Sequence, residues 1–290
     1  MATQDTSILG MENLVENVQS EKCPVSFGLC GINLWNMTCE KSDTTFRLER
    51  LSGKMRLHKD LLWFSCPHEN TIDVYSCTGT LQRSFPCPDI KEPWSLHPLS
   101  DKKLLLAASS GLYVYNTDTQ SVSHTLAKGR FKDVHSSESH IVALELSEPY
   151  HTVHIFQASN PPTHSHSFSL NHSDALRVLA QGDHVYVSAW DTNTSVCQYT
   201  LQGELVKKWG REGQVPGEFE YPLITSIDTE GCLLVVDCNN HRLQAVSPNG
   251  EISVVKGVVD LEYPLDVVIV GETMFVLHDA GEIIQTYRIK

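Results

Sequence analysis

Short runs of aliphatic and β-branched residues recur along the chain, beginning at Leu61, Leu104, Ile141, Val185, Leu233 and Met274, at intervals of 37 to 48 residues. Each run is too short for an ordinary helix and is followed by polar, turn-like sequence, which predicts a strand. A second segment with alternating character follows most runs, at Ile72 to Tyr75, Leu112 to Tyr115, Val153 to Phe156, Val196 to Tyr199, Leu243 to Val246 and Ile284 to Tyr287. Gly79, Gly203 and Gly250 then stand where a tight hairpin needs positive φ. They predict outer strands at Leu81 to Phe85, Leu205 to Trp209 and Ile252 to Val255. Each apolar run is read as an inner strand, as at Val235.

Six such units, at a period of about 40 to 50 residues, are the pattern of an all-β, six-bladed β-propeller with four-stranded blades. The ends of the chain fit closure of that ring. The last unit stops at Lys290 after its second strand, while Thr44 to Arg50 and Lys54 to Leu57 lie upstream of the first unit without an inner partner. The N-terminal segment is therefore expected to supply the outer strand of the last blade. Residues 1–20 are expected to form a tail or short helix, and residues 21–290 a single closed domain.

Composition narrows the classes of function. With 41% hydrophobic and 20% charged residues, the 290-residue chain has globular character. Its 22 Lys and Arg against 35 Asp and Glu give a net charge of −13, which argues against general attraction to DNA or to an anionic membrane. No apolar run approaches the roughly 18 residues of a membrane span, and the acidic start lacks a secretory pattern. A cytoplasmic protein is expected. Nine Cys, an odd number with no C-x-x-C pair, read as buried reduced thiols rather than a disulfide framework or a zinc site. Without a secretory signal the glycosylation sequons at Asn36, Asn171 and Asn193 are discounted.

One unit is more regular than the others. Gly217, Glu218, Phe219, Tyr221, Pro222, Ile227, Asp228, Gly231, the run from Leu233 to Asp237, Asn239, Asn240, His241, Arg242, Leu243, Gln244 and Gly250 together resemble the NHL repeat. The first unit keeps only Asn70, Ile72, Val74, Tyr75 and Gly79 of that pattern, and the fourth Val185 to Val187, Asn193, Val196 and Gly203. The resemblance implies a six-bladed propeller used as an interaction platform, often at the C-terminal end of tripartite-motif ubiquitin ligases, where it recruits protein or RNA. This chain carries no RING or B-box pattern of Cys and His at zinc spacing. The expected role is a non-enzymatic adaptor that binds a protein partner and recruits substrates to a ubiquitin-ligase complex, with no cofactor or metal.

Candidate contacts follow from the longest inter-blade segment. Arg211, Glu212, Gln214, Phe219 and Tyr221 mix charge with aromatic anchors, the composition favoured at interfaces. Trp94, His97, Arg130 and Phe131 are assigned to analogous connections in earlier units, and His241 to a neighbouring loop. Asp237, Asn239, Asn240 and Arg242 read as turn chemistry, with Arg242 paired to a carboxylate. His164, His166 and His172 suggest a transition-metal site, because strand residues two apart share a face, but their surroundings read as a solvated loop. Two alternatives remain. A calcium-dependent six-bladed hydrolase would use Asp228 and Asp266, the latter placed after Tyr263 and Pro264 in an apparently matching repeat position. A single-stranded RNA reader would use Lys207, Lys208, Trp209, Arg211 and Arg242, with a second patch at Lys128, Arg130, Phe131 and Lys132.

Overall fold

A computed structural model describes residues 32–190 and 194–290. The expected tail at residues 1–20, with Cys23, Cys30 and Asn193, lies outside the described residues. Among the described residues twenty-four strands form six antiparallel four-stranded sheets. The first strand, β1 (Cys39–Arg47), belongs to the last blade. Blade one is β2 (Lys54–His58), β3 (Leu61–Cys66), β4 (Thr71–Ser76) and β5 (Leu81–Pro86). Blade two is β6 (Pro93–Ser100), β7 (Lys103–Ala108), β8 (Gly111–Asn116) and β9 (Ser121–Ala127); blade three is β10 (Phe131–Ser136), β11 (His140–Glu145), β12 (Thr152–Gln157) and β13 (Thr163–Ser169). Blade four is β14 (Ala175–Gln181), β15 (His184–Ala189), β16 (Ser195–Thr200) and β17 (Leu205–Trp209); blade five is β18 (Pro222–Ile227), β19 (Leu233–Asp237), β20 (Arg242–Val246) and β21 (Ile252–Val254). Blade six is β22 (Asp266–Val270), β23 (Thr273–His278) and β24 (Ile283–Ile289), completed by β1.

The first strands of successive blades, β2, β6, β10, β14, β18 and β22, touch one another around the ring and line its central channel. This corrects the strand order expected from the sequence. The apolar runs, Val235 included, are the second strand of each blade and sit between an inner and a third strand. Buried on both faces, they read as continuous hydrophobic stretches. The outermost strands are mostly exposed, as in β5 and β17. Buried apolar side chains form six clusters, one at each blade-to-blade interface. Between blades four and five, for example, Leu179, Tyr186, Val196, Trp209, Phe219, Ile224 and Val235 pack together.

Turn chemistry follows the sequence. Gly79 and Gly203 both have φ near +90°, and a Cβ on either would stand within 2.5 Å of Phe46 or Phe168 on the adjacent blade's outer strand. Both glycines thus serve the turn and the close approach of a neighbour.

Closure uses the N-terminal segment. Strand β1 pairs antiparallel with β24 from Cys39 opposite Ile289 to Arg47 opposite Ile283, with a bulge between Lys41 and Thr45. Gln285 Nε2 donates to the carbonyls of Ser42 and Thr44, and Thr45 Oγ1 donates to Gln285 Oε1 at 2.7 Å, reinforcing the seam. Deleting residues 1–47 should bare the β24 edge and lower the melting temperature by about 10 °C, since 1 kcal/mol moves a domain of this size by roughly 2–4 °C. A truncated chain melting with the full-length protein in a calorimeter would show that the seam is not a closure element.

Candidate functional site

The innermost strand of each blade has one edge paired to its second strand and one edge free. Buried N–H groups on that free edge need acceptors. In blades one, four and five, side chains of the preceding blade supply them. Asp266 Oδ2 accepts from Met55 N at 3.0 Å, Asp133 Oδ2 from Val178 N at 3.0 Å, and His135 Nδ1 from Ala180 N at 3.2 Å. Ser188 Oγ accepts more weakly from Ile224 N. Asp133 also receives the Ser95 hydroxyl at 2.6 Å.

Two carboxylates with essentially no solvent exposure require cations. Lys54, 1% exposed, places its ammonium 3.5 Å from Asp133 and 4.0 Å from Asp266. Arg56 lies 3.5 Å from Asp266, and Arg177 lies 3.7 Å from Asp133 while donating to Gly53 O at 3.1 Å. Burial, with Arg177 and Arg56 nearby, pulls the Lys54 ammonium down to about 7. Burial acts to raise the Asp133 carboxyl, but Lys54, Arg177, Arg56 and the Ser95 hydroxyl together hold it down at about 2. Deeper in the channel His97 and His135 stand with ring centroids 4.7 Å apart. Burial holds both far below the ordinary imidazole range, so both are neutral at pH 7.

Antiparallel pairing puts the connections between blades and the loops between second and third strands at the same end of the channel, here called the upper face. Most sequence-predicted contacts come together there, but not all as contacts. Phe219 is fully buried in the cluster between blades four and five and packs on Gly210. Phe131 is likewise buried, in the core between blades two and three. Neither can be a surface contact. His97 and Trp94 belong to β6 rather than to a connection, and His97 faces the channel. These four rings beside loops read alike in sequence; full burial separates Phe219 and Phe131 from Trp94.

Trp94 is partly buried at the channel mouth, with Arg130 Cζ 5.9 Å and Lys132 Nζ 5.7 Å from its ring centroid. Register shifts between Pro93 and Ser95, and between Phe131 and Asp133, make Trp94 and Lys132 the extra residues of β-bulges. Such bulges re-aim a side chain at a strand end. Tyr221 stacks obliquely on Trp190 at 5.2 Å, and Trp190 is 43% exposed. His241 Nδ1 accepts from Tyr263 N at 3.1 Å, and the two rings meet edge to face at 4.6 Å; Tyr263 is 53% exposed. Tyr221, His241 and Tyr263 all have positive φ, a conformation costly for non-glycine residues that tends to cluster at functional positions.

The longest connection, residues 210–221, is held from beneath. Arg242 Nε donates to Asp237 Oδ2 at 2.7 Å, and its Nη atoms donate to the carbonyls of Gln214, Val215 and Glu218. Asn240 Nδ2 donates to Gly213 O and to Asp237, Asn239 Nδ2 lies 3.4 Å from Glu220 Oε1, and Gln244 Nε2 donates to Glu218 O. Arg211 is exposed and paired with Glu218 at 2.9 Å; Glu212 and Gln214 are exposed beside it.

The remaining candidates separate. A bulge in β13 pairs His166 with Ile155 and His164 with Phe156, so the two imidazoles face opposite sides of the sheet. His166 donates to Leu201 O at 2.7 Å, His164 packs on Phe156, and His172 pairs with Asp174 at 2.6 Å. Asp228 and Asp266 are not equivalent positions. Asp228 follows β18 and accepts from the N–H groups of Leu34, Glu230 and Cys232, whereas Asp266 opens β22 in the channel. Of the two basic patches, Lys207 and Lys208 lie on exposed outer strand β17, with Lys207 donating to Pro248 O, and Trp209 is buried. The sequence reading missed Trp190, Tyr263, Lys54, Arg56, Asp133 and Arg177. The signal for the charged four was a charge alternating with apolar residues at 54–58, 131–136 and 175–181.

Two outcomes test this arrangement. Lys54 has a folded pKa of about 7 against about 10.4 unfolded, so above pH 7 the unfolded chain binds more protons and stability rises with pH. The stability of the native protein relative to Lys54→Met should rise by about 1.5 kcal/mol from pH 7 to 8.5, the buried thiols cancelling in the difference. Guanidinium titrations of both chains check it, and a constant difference would refute it. Separately, Arg242→Lys cannot reproduce a four-way guanidinium clamp and should cost about 2 kcal/mol while exposing residues 210–219 to limited proteolysis. Resistance to protease equal to the native protein's would show the clamp to be dispensable.

No family model and no curated protein sequence matches the chain. Solved structures do. An auxiliary nutrient binding protein from Bacteroides ovatus superposes with a TM-score of 0.66 at 8% identity, covering 84% of this chain and 70% of that one. A protein of unknown function from Bacteroides thetaiotaomicron gives 0.64 at 13% identity, over 88% and 76%. Virginiamycin B lyase from Staphylococcus aureus gives 0.59 at 12% identity, over 83% and 96%. At these identities the likeness is one of fold, and the NHL resemblance of residues 205–250 rests on its own residues.

Proposed function

We propose that the chain is a non-enzymatic protein-interaction module that binds through the upper face. The observation that carries this reading is the gathering of Trp94, Trp190, Tyr221, His241 and Tyr263 at one end of the channel, beside Arg130 and Lys132. Aromatic and cationic anchors on a rigid scaffold are the usual makers of binding hot spots. The hydrolase alternative finds less support. Calcium needs several oxygen ligands free to turn toward it. Asp133 and Asp266 instead accept backbone N–H groups and face an ammonium and two guanidiniums, and Asp228 is committed to its turn.

Recruitment of substrates to a ubiquitin-ligase complex rests on the repeat resemblance alone and is carried forward as part of the proposal. A cytoplasmic setting is supported by seven unpaired cysteines among the described residues, most of them buried, which suit a reducing compartment. Among the described residues no helix is long and apolar enough to cross a membrane.

The test is affinity capture from cell extract with quantified partner recovery. Trp190→Ala and Tyr221→Ala together should reduce recovery at least about tenfold while leaving the melting temperature within about 2 °C. Undiminished recovery, with loss instead in Gln202→Ala or Asn249→Ala on turns at the opposite end, would overturn the assignment to the upper face.

A further inference from the structure

The charge around the channel mouth is unbalanced. Arg56, Arg130, Lys132, Arg177 and Lys54 converge on it, and the carboxylates among them are Asp133 and Asp266. Both carboxylates are already engaged by backbone N–H groups. Lys54 is almost wholly buried, yet its nearest carboxylate oxygens, at 3.5 and 4.0 Å, lie beyond an ordinary hydrogen bond. Five cations gathered around two carboxylates, in a chain of net charge −13, mark a place where a further anionic group would be stabilised.

The surroundings are acidic on balance, with exposed Lys91, Lys128, Arg211 and Lys256 outnumbered by carboxylates on the same connections and loops. Glu49, Glu69, Glu148, Glu212 and Glu262 are exposed on the connections and loops of the same face, outward of the inner strands. A cationic centre within an acidic surround repels an extended polyanion, whose neighbouring phosphates would lie over the glutamates. It accepts a single anionic group whose flanks are positive. The apolar walls are already in place: Trp94, set by its bulge beside Lys132, and Tyr221, which lies close enough to Arg177 to feel its charge.

Resting on the interaction-module reading, we propose that the channel mouth receives an Asp or Glu side chain of a partner peptide flanked by basic residues. Lys132 and Arg177 are its ion-pair partners and Trp94 its apolar wall. The flanking Lys or Arg residues of the peptide meet the surrounding glutamates. Complementarity of this kind sets register and selects against wrong partners, because a like-charged group at either radius is penalised.

A display library of random twelve-residue peptides, selected on the full chain, tests this directly. Enriched sequences should carry one central acidic residue with Lys or Arg within about four positions on both sides. Synthetic copies measured by fluorescence polarisation should bind at least about tenfold more weakly when the central residue is replaced by Gln or Asn, and when the protein carries Lys132→Ala or Arg177→Gln. Because Arg177→Gln removes the bond to Gly53, its melting temperature is measured alongside, and half-buried Lys132→Ala decides if it unfolds. Enrichment of peptides without a central acidic residue, or equal binding by both variants, overturns this inference and leaves the module standing. A uridine-rich RNA oligonucleotide that binds the mouth more tightly than the selected peptides also overturns it. A library that enriches nothing, on a protein that still captures its partner, overturns the peptide mode. Nothing in either assay overturns the interaction reading with it.

Discussion

The free edge of the innermost strand governs this molecule. A closed ring of blades leaves six such edges facing inward, where water is scarce and unmatched N–H groups are expensive. In blades one, four and five the acceptors come from the neighbouring blade: Asp266 for Met55, Asp133 for Val178, His135 for Ala180, Ser188 for Ile224. Each contact joins two blades, so satisfying the backbone also fixes their relative position. The choice of carboxylates has a consequence, since buried Asp133 and Asp266 must be neutralised. Lys54, Arg56 and Arg177 follow from that need, and the cationic mouth follows from them.

Apolar packing and this polar ring divide the labour. The six inter-blade clusters supply most of the driving force, as burial of large side chains does generally. They are similar in kind and do not distinguish one blade from the next. The polar contacts do. Blades six and one share Asp266 with Met55 and Arg56, blades three and four share Asp133 and His135 with the β14 backbone, and blades one and four meet through Arg177 and Gly53 across the ring. A charged centre is a weak source of net stability but a strong source of unique geometry when its partners are all specified.

Legibility in the sequence followed burial. Strands such as β3, β7 and β19 are covered on both faces and announced themselves as apolar runs, and Gly79, Gly203 and Gly250 announced their turns. The innermost strands were harder to see because each answers to two environments at once. In Lys54, Met55, Arg56, Leu57 and His58, the polar residues belong to the channel and the apolar ones to the blade interface, so the segment resembles a solvent-facing strand. That ambiguity shifted the strand count inward by one and hid Lys54, Arg56, Asp133 and Arg177. Phe219 and Phe131 failed as contacts for a related reason: an aromatic next to a loop reads the same whether its ring points out or under. Repeat position alone did not separate Asp228 from Asp266 either, because a shared Tyr-Pro lead-in precedes residues of different strand order.

The upper face gains its character from where rigidity is placed. Tyr221 stands at the end of the longest connection, yet that connection is bound from below by Arg242, Asn240 and Gln244 through Gly213, Gln214, Val215 and Glu218. Trp94 and Lys132 are held by bulges in inner strands rather than by loops. Tyr263 is tied to His241 by a backbone hydrogen bond. Anchors fixed in this way lose little conformational freedom on meeting a partner, so more of each contact is available as affinity. The most regular repeat therefore does two things at once: its Asp237 and Arg242 close a structural turn, and by closing it they hold the connection that ends in Tyr221, whose ring meets Trp190.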